Sequence, residues 1–334
     1  MSNDIHDPLD ALLSSAVLSL RSHLPPNQDA SVSVFIDPTL NHTICDDAIV
    51  QNALSNGVLQ RVPLSIAHDD IDPPAMPYLL HAPSEQMAER AIECTLRIAL
   101  MDTLANRPTA ATRQVCAWII GEVAPRPLAI RLSDAALIRK PDGSRRPFRY
   151  WDPRVMWHLP RVMPPLEWAS LRDAVGKWLT LDMTHQLTAL PPVDTNHAHS
   201  VSGMHRMRMG AQPCTPLQWA ALSRIGAINM AMAQAHEWGI TPTHEIASHI
   251  DALLQTCHAL GFDTERDEQV FVACGLTSHI QFYKHPEVDI ALKRSAAEVQ
   301  GVMSALGQFD DQFWGQLQQP NWCPNPRDRG SLSA

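Results

Sequence analysis

The stretch AALIRKPDGSRRPFRYWDPRVMWHLPR, residues 135–161, carries the densest local signal in the sequence. Two runs with strand character, 137–140 and 146–150, flank Pro141-Asp142-Gly143-Ser144. Proline, aspartate, glycine and serine in this order are typical of a tight turn. The stretch therefore predicts a β-hairpin.

The residues after the hairpin predict an abrupt change from strand to helix. Asp152 can accept hydrogen bonds from the free amides of a first helical turn. Pro153 suits the first position of that turn, because its φ is preset and a missing N–H loses no hydrogen bond there. Helix initiation thus explains Asp152 and Pro153 as structural residues. Phe148 and Tyr150 lie on alternate sides of Arg149 and are predicted as sheet residues, one inward and one partly exposed.

The first half of the sequence alternates between strand-like and helix-like patterns. Six short β-rich runs are predicted as strands: Val32–Asp37, Val62–Ile66, Pro77–His81, Val115–Gly121, Ala135–Lys140 and Pro147–Tyr150. Three amphipathic stretches are predicted as helices: Leu9–Arg21, Ile44–Ser55 and Glu85–Leu104. Alternation of this kind indicates a layered α/β architecture.

The second half of the sequence is predicted to be helical. From about residue 183 to residue 215 neither a strand period nor a helix period is visible, which indicates a linker or inter-lobe loop. Beyond it, apolar residues recur every three or four positions. The predicted fold class is therefore α+β or α/β, a mixed N-terminal lobe followed by an all-α C-terminal lobe. The predicted domains are an α/β lobe (1–182), the loop (183–215), a helical lobe (216–318) and a polar tail (319–334).

Composition narrows the classes of function. The 334 residues include 35 acidic and 26 basic side chains, and the net charge of −9 argues against a nucleic-acid partner. No run approaches the ~20 apolar residues of a membrane helix, so no membrane partner is expected. The acidic start lacks the cationic region of a secretory signal, and the seven scattered cysteines include no Cys-x-x-Cys pair. We therefore expect a cytoplasmic protein with reduced thiols.

Several of these stretches, taken together, resemble the type VI secretion effector adaptor family. The resemblance rests on the hairpin, on FRYWDPRV at 148–155, on AMPYLL at 75–80 and on FYKHPEV at 282–288. It covers most of residues 32–306. The N-terminal 30 residues and the 183–215 segment depart from the family's pattern, and Trp151 stands where smaller aromatic residues are commoner.

The resemblance implies a non-enzymatic chaperone of the cytoplasm that needs no cofactor. Members of the family are encoded beside spike proteins and toxins. They bind a toxic effector protein as cargo, often through its N-terminal region or an adjoining proline-alanine-alanine-arginine (PAAR) tip domain, and help load it onto the valine-glycine repeat (VgrG) spike protein. The expected partners are therefore a toxic effector and the VgrG spike or a PAAR tip domain, with neither nucleic acid nor membrane.

Positive charge is concentrated between residues 139 and 161, where seven cations and two anions give a local excess of five. Such asymmetry can steer an acidic partner, and a solvated hairpin is the alternative explanation. Arg154 lies just inside a helix start, where the helix dipole disfavours it, so it needs a partner either within the chain or on the cargo or spike. The candidate partner-binding residues are Arg145, Arg146, Arg149, Trp151, Arg154, Met204, Met207 and Met209, the methionines because they suit surfaces that accept hydrophobic helices.

A metal-dependent hydrolase is the alternative hypothesis. His197 and His199 would face the same way on an extended segment, and with His205 they could bind a metal ion. His244 and His249 do not form such a pair, because five residues on a helix separate two side chains by about 140°. A third hypothesis is that the chain is a domain of a larger toxin.

Overall fold

The computed structural model describes residues 8–25, 30–39, 44, 47–68, 71, 76–105, 113–163, 168, 176–182, 184–190 and 212–318. The chain divides into two compact units, Met1–Leu222 and Ser223–Ala334.

The first unit is built on a six-stranded sheet with the order β2-β3-β1-β4-β7-β8, in which every neighbouring pair is antiparallel. Its strands are β1 (Val32–Ile36), β2 (Gln60–Pro63), β3 (Tyr78–Ala82), β4 (Val115–Ile120), β7 (Lys177–Leu181) and β8 (Leu187–Ala189). A separate antiparallel hairpin, which we call the basic hairpin, consists of β5 (Leu137–Arg139) and β6 (Arg145–Pro147).

Helices cover both faces of this sheet. They are α1 (Pro8–His23), α2 (Ala48–Ser55), α3 (Glu85–Ala105), α4 (Pro125–Ala135), α5 (Pro153–Met156), α6 (Leu159–Val162) and α7 (Pro216–Ser223). Successive residues of β1 alternate between two hydrophobic cores. Val34 and Ile36 pack in the core that contains α1, α2 and α3, whereas Phe35 packs in the core that contains α4, α5 and α6. Burial on both faces explains why β1, β3 and β4 are mostly apolar and lack the polar alternation of a half-exposed strand.

The second unit is all helical within its described residues. Its elements are α8 (Ile225–Glu237), α9 (His244–Ala259), α10 (Glu265–Thr277), a 3-10 turn (Phe282–Lys284), α11 (Pro286–Ala297), α12 (Val302–Leu306) and α13 (Asp311–Leu317). Asp267 links two of them, because its carboxylate accepts hydrogen bonds from Thr264 Oγ1 at the start of α10 and from Val302 N at the start of α12 (2.6 and 2.7 Å). One buried side chain thereby satisfies polar groups at two helix starts.

The predicted fold class is confirmed, since a mixed N-terminal region precedes an all-helical C-terminal region. Several details differ. The second hairpin strand is Arg145–Pro147, two residues earlier than predicted, because after Phe148 the chain turns, with Tyr150 N donating to Phe148 O. Leu187–Ala189, at the start of the predicted inter-lobe loop, pairs with β7 as an edge strand. The helix α4 was not predicted, because prolines at 125 and 127 mask its start.

Most of the remaining predicted loop, residues 191–211, lies outside the described residues, as does the predicted tail, 319–334. The helices of the described part of the chain include none that combines the length and the apolar character needed to cross a bilayer.

Candidate functional site

Two buried carboxylates organise the segment that follows the basic hairpin. Asp37 lies directly after β1, and Asp152 lies directly before α5. Together with Arg149, Trp151 and Arg154 they form a group of interacting polar side chains that we call the anchor cluster.

Asp37 contacts two side chains of the segment that follows the basic hairpin, those of Arg149 and Trp151. Its side chain is fully buried, and its Oδ2 atom accepts a hydrogen bond from Trp151 Nε1 (2.7 Å). The same oxygen lies 2.8 Å from Arg149 Nη2. This Arg149 contact is a close ion pair rather than an aligned hydrogen bond, because neither Nε nor Nη2 of Arg149 has a hydrogen-bond partner within the described residues. Asp37 Oδ1 accepts from Thr39 N (3.0 Å), so both carboxylate oxygens are occupied.

Asp152 caps the start of α5 and forms an ion pair with Arg154, a residue of that helix. Its Oδ1 atom accepts from Arg154 N (3.0 Å) and Arg154 Nε (2.9 Å), and its Oδ2 atom accepts from Arg154 Nη2 (2.6 Å). The guanidinium therefore forms a bidentate ion pair, which is the strong form of this interaction. Of the two partners that the sequence left open for Arg154, the internal one is present.

The pKa of Asp152 reflects this pairing. Burial alone would raise it, but the hydrogen bonds and positive charge of Arg154 outweigh burial, so the pKa of Asp152 lies below its ordinary value of 3.8. The same pairing raises the pKa of Arg154. Both side chains are therefore charged at neutral pH.

A buried thiol beside the anchor cluster is not activated. Burial raises the pKa of Cys116 well above its ordinary value, and the negative charges of Asp37 and Asp152 raise it further. Cys116 Sγ donates to the carbonyl oxygen of Arg113 (3.4 Å). Because the thiolate is the nucleophilic form of cysteine, this geometry favours a packing role for Cys116.

Aromatic packing buries Tyr150 and Trp151, which follow the basic hairpin. The Trp151 ring stacks on Phe35 with 5.3 Å between centroids, and Tyr150 meets Trp151 edge-on at 5.2 Å. Tyr150 is fully buried and donates its hydroxyl hydrogen to Leu132 O (3.0 Å). Burial also raises the pKa of Tyr150 well above its ordinary value, so the phenol stays protonated. The ring of Trp151 is thus part of the core between the sheet and α4.

The structure separates the candidate partner-binding residues into two groups. Trp151 is buried, and Arg149 and Arg154 are paired with Asp37 and Asp152, so these three side chains help to hold the fold together. Among the predicted structural residues, Asp152 and Pro153 start α5. Phe148 and Tyr150 lie after β6 and not in the sheet, with Phe148 half-buried and Tyr150 buried.

The second group is the exposed part of the basic hairpin. Arg145 and Arg146 are exposed, as is the turn at 141–144. Lys140 lies 3.5 Å from Asp142 and over the ring of Trp219 at 5.6 Å. Met204, Met207 and Met209 lie outside the described residues, as do His197, His199 and His205.

One polar pair gave no signal in the sequence. Ser33 and His81 face each other across β1 and β3, with Ser33 Oγ 2.9 Å from His81 Nδ1, and both are buried. Burial lowers the pKa of His81, so the ring is neutral at neutral pH. Within the described residues no carboxylate contacts His81, and no cluster of three or more metal-ligating side chains occurs. We therefore interpret the Ser33–His81 pair as a structural contact between β1 and β3.

Comparison with known proteins adds no relative. No protein-family model, curated protein or solved structure matches this chain. The resemblance to effector adaptors thus rests on the sequence stretches alone.

Removing the Asp37 carboxylate should unfold the protein at a lower urea concentration. We expect Asp37→Ala to lower the free energy of unfolding by about 3–5 kcal/mol, because it leaves the Trp151 N–H without its acceptor and the buried atoms of the Arg149 guanidinium without their counter-ion. Glu122→Ala, which removes an exposed carboxylate of the same unit, should leave the urea midpoint almost unchanged. Urea unfolding followed by circular dichroism measures both values, and similar losses in the two variants would contradict the role given to Asp37.

The Asp152–Arg154 pair should contribute stability that depends on pH. The folded pKa of Asp152 lies below the unfolded pKa, so the contribution is present above about pH 4 and is lost as the pH falls through the folded pKa. Wild type should therefore be more stable than Arg154→Gln at pH 7, and this difference should shrink below about pH 4. Thermal unfolding between pH 7 and pH 3 measures the difference, with Arg126→Gln as an exposed control. A difference that stays constant with pH would argue against this pairing.

Proposed function

We propose that this chain is a cytoplasmic adaptor of type VI secretion that binds a toxic effector and helps load it onto the VgrG spike or its PAAR tip. It acts by binding and release, and no bond is made or broken. The sequence stretches at 75–80, 148–155 and 282–288 suggest the family.

One observation supports the basic hairpin as the surface that binds the partner. The chain has a net charge of −9, yet the basic hairpin displays Arg139, Lys140, Arg145 and Arg146 with Asp142 as its single acidic residue. Arg145 and Arg146 are exposed. A local cationic surface on an acidic protein attracts acidic segments, while the remaining surface repels them. This charge distribution speeds the association of an acidic partner and orients it toward the cationic surface.

The anchor cluster supports this use of the hairpin. Phe148 N donates to Ala136 O (2.8 Å), so the hairpin ladder continues into the segment that Asp37 and Asp152 hold. A surface that is already rigid before binding loses less conformational entropy when a partner arrives. The buried charges thus support a preformed binding surface.

Reversing the hairpin charges should weaken cargo capture. The family resemblance implies a toxin gene beside that of this chain. When the two are co-expressed, we expect wild type to retain the toxin through affinity purification and size exclusion. Arg145→Glu with Arg146→Glu should lower the affinity for the toxin by about tenfold or more at physiological salt, because attraction at two positions becomes repulsion.

The matched control is Arg90→Glu with Arg126→Glu, which changes the net charge by the same amount at exposed positions on α3 and α4. This control should retain the toxin. Equal retention by both double variants would remove the hairpin from the interface, and a wild-type chain that never retains the neighbouring toxin would refute the adaptor function itself.

A further inference from the structure

The register of the basic hairpin places two arginines side by side. Arg139 of β5 is directly opposite Arg145 of β6. Hydrogen bonds from Lys140 N to Ser144 O and from Phe148 N to Ala136 O, both 2.8 Å, fix the ladder on either side. Because hydrogen-bonded and non-hydrogen-bonded pairs alternate, Arg139 and Arg145 form a non-hydrogen-bonded pair, the type whose side chains are closest. Their Cβ atoms are therefore about 4.5–5.5 Å apart and project from the same face.

No anion neutralises this pair within the described residues. Neither guanidinium has an ion pair or a side-chain hydrogen bond there, and the nearby Asp142 pairs with Lys140. Arg149 and Arg154, by contrast, each have their own carboxylate. Like charges directly opposite each other destabilise a hairpin, so the Arg139–Arg145 pair works against the stability of its own element.

The hairpin edges are closed to an added strand. Arg139 O accepts from Cys214 N (2.8 Å) on the outer side of β5. On the outer side of β6, His68 Nε2 donates to Arg145 O (3.2 Å), and Pro147 has no N–H to offer. A partner strand therefore finds few backbone groups to pair with. Recognition at this hairpin has to use side chains.

We propose that Arg139 and Arg145 form a two-point receptor for an acidic helix of the cargo protein, in which two carboxylates lie one helical turn apart. Residues at i and i+4 of a helix have Cβ atoms about 5–6 Å apart, which matches the spacing of the two arginines. Each guanidinium then pairs with one carboxylate, and binding removes the repulsion within the hairpin. The inference rests on the proposed use of this surface for cargo and adds the chemistry and spacing that the surface recognises.

The first part of the test uses the free protein. If the two guanidinium groups repel each other, Arg139→Gln should raise the thermal unfolding temperature at low salt. Added sodium chloride should raise it in wild type more than in the variant, because salt screens the repulsion. Arg90→Gln, at an exposed position on α3, is the control and should show neither change.

The second part uses synthetic peptides as probes. A fluorescein-labelled alanine-rich helical peptide with glutamates at i and i+4 is compared with a peptide of the same composition whose glutamates are at i and i+2, on different helix faces. By fluorescence anisotropy, wild type should bind the i, i+4 peptide about tenfold more tightly. Arg139→Gln with Arg145→Gln should abolish this preference, and Arg90→Gln with Arg126→Gln should keep it.

The proposal requires both results. Equal affinity for the two peptides, an unchanged preference in the Arg139→Gln, Arg145→Gln variant, or tighter binding of a single-stranded DNA oligonucleotide of equal charge would each overturn it. So would an unfolding temperature that Arg139→Gln leaves unchanged. Because the peptides replace the toxin, these outcomes are separate from toxin retention: peptide preference without retention refutes the adaptor function alone, and retention without peptide preference refutes the receptor alone.

Discussion

A single buried carboxylate, that of Asp37, determines how the central part of the N-terminal unit is arranged. It lies at the end of β1, in the middle of the sheet, and contacts Trp151 from a distance of 114 positions along the chain. It also forms an ion pair with Arg149 (2.8 Å). A buried ion pair contributes little net stability over apolar packing, but it allows few alternative arrangements. Asp37 thus fixes where the chain leaves the basic hairpin.

The positive charges between residues 139 and 161 fall into two groups, those with an internal carboxylate partner and those without one. The excess of cations between residues 139 and 161 looks uniform in the sequence. In the folded protein, Arg149 and Arg154 are paired with internal carboxylates, whereas the exposed Arg145 and the half-buried Arg139 have no ion-pair partner in the described part of the chain. The interior pairs hold the segment in place, and we propose that the outer pair serves recognition. On this proposal, structure and binding use different members of one cationic run.

The sequence predicted what depends on local patterns. Apolar runs located the central strands β1, β3 and β4, and the Asp152-Pro153 signature located the start of α5, because a cap acts within one helical turn. Contacts between distant residues gave no such signal. The pairing of β7 with β4 and the contact of Trp151 with Asp37 depend on the assembled sheet. For that reason the sequence placed Trp151 among the candidate partner-binding residues, whereas in the structure it is a core residue.

The most direct test of the account is the reactivity of individual arginines in the folded protein. An arginine-selective dicarbonyl reagent, followed by peptide mass spectrometry, gives a modification rate for each guanidinium. Because Asp37 and Asp152 hold Arg149 and Arg154, we expect these two to react much more slowly than Arg139 and Arg145, and the difference to vanish in denaturant. Equal rates for all four arginines in the native protein would show that the carboxylates do not hold the segment, and would contradict the division between anchoring and recognition.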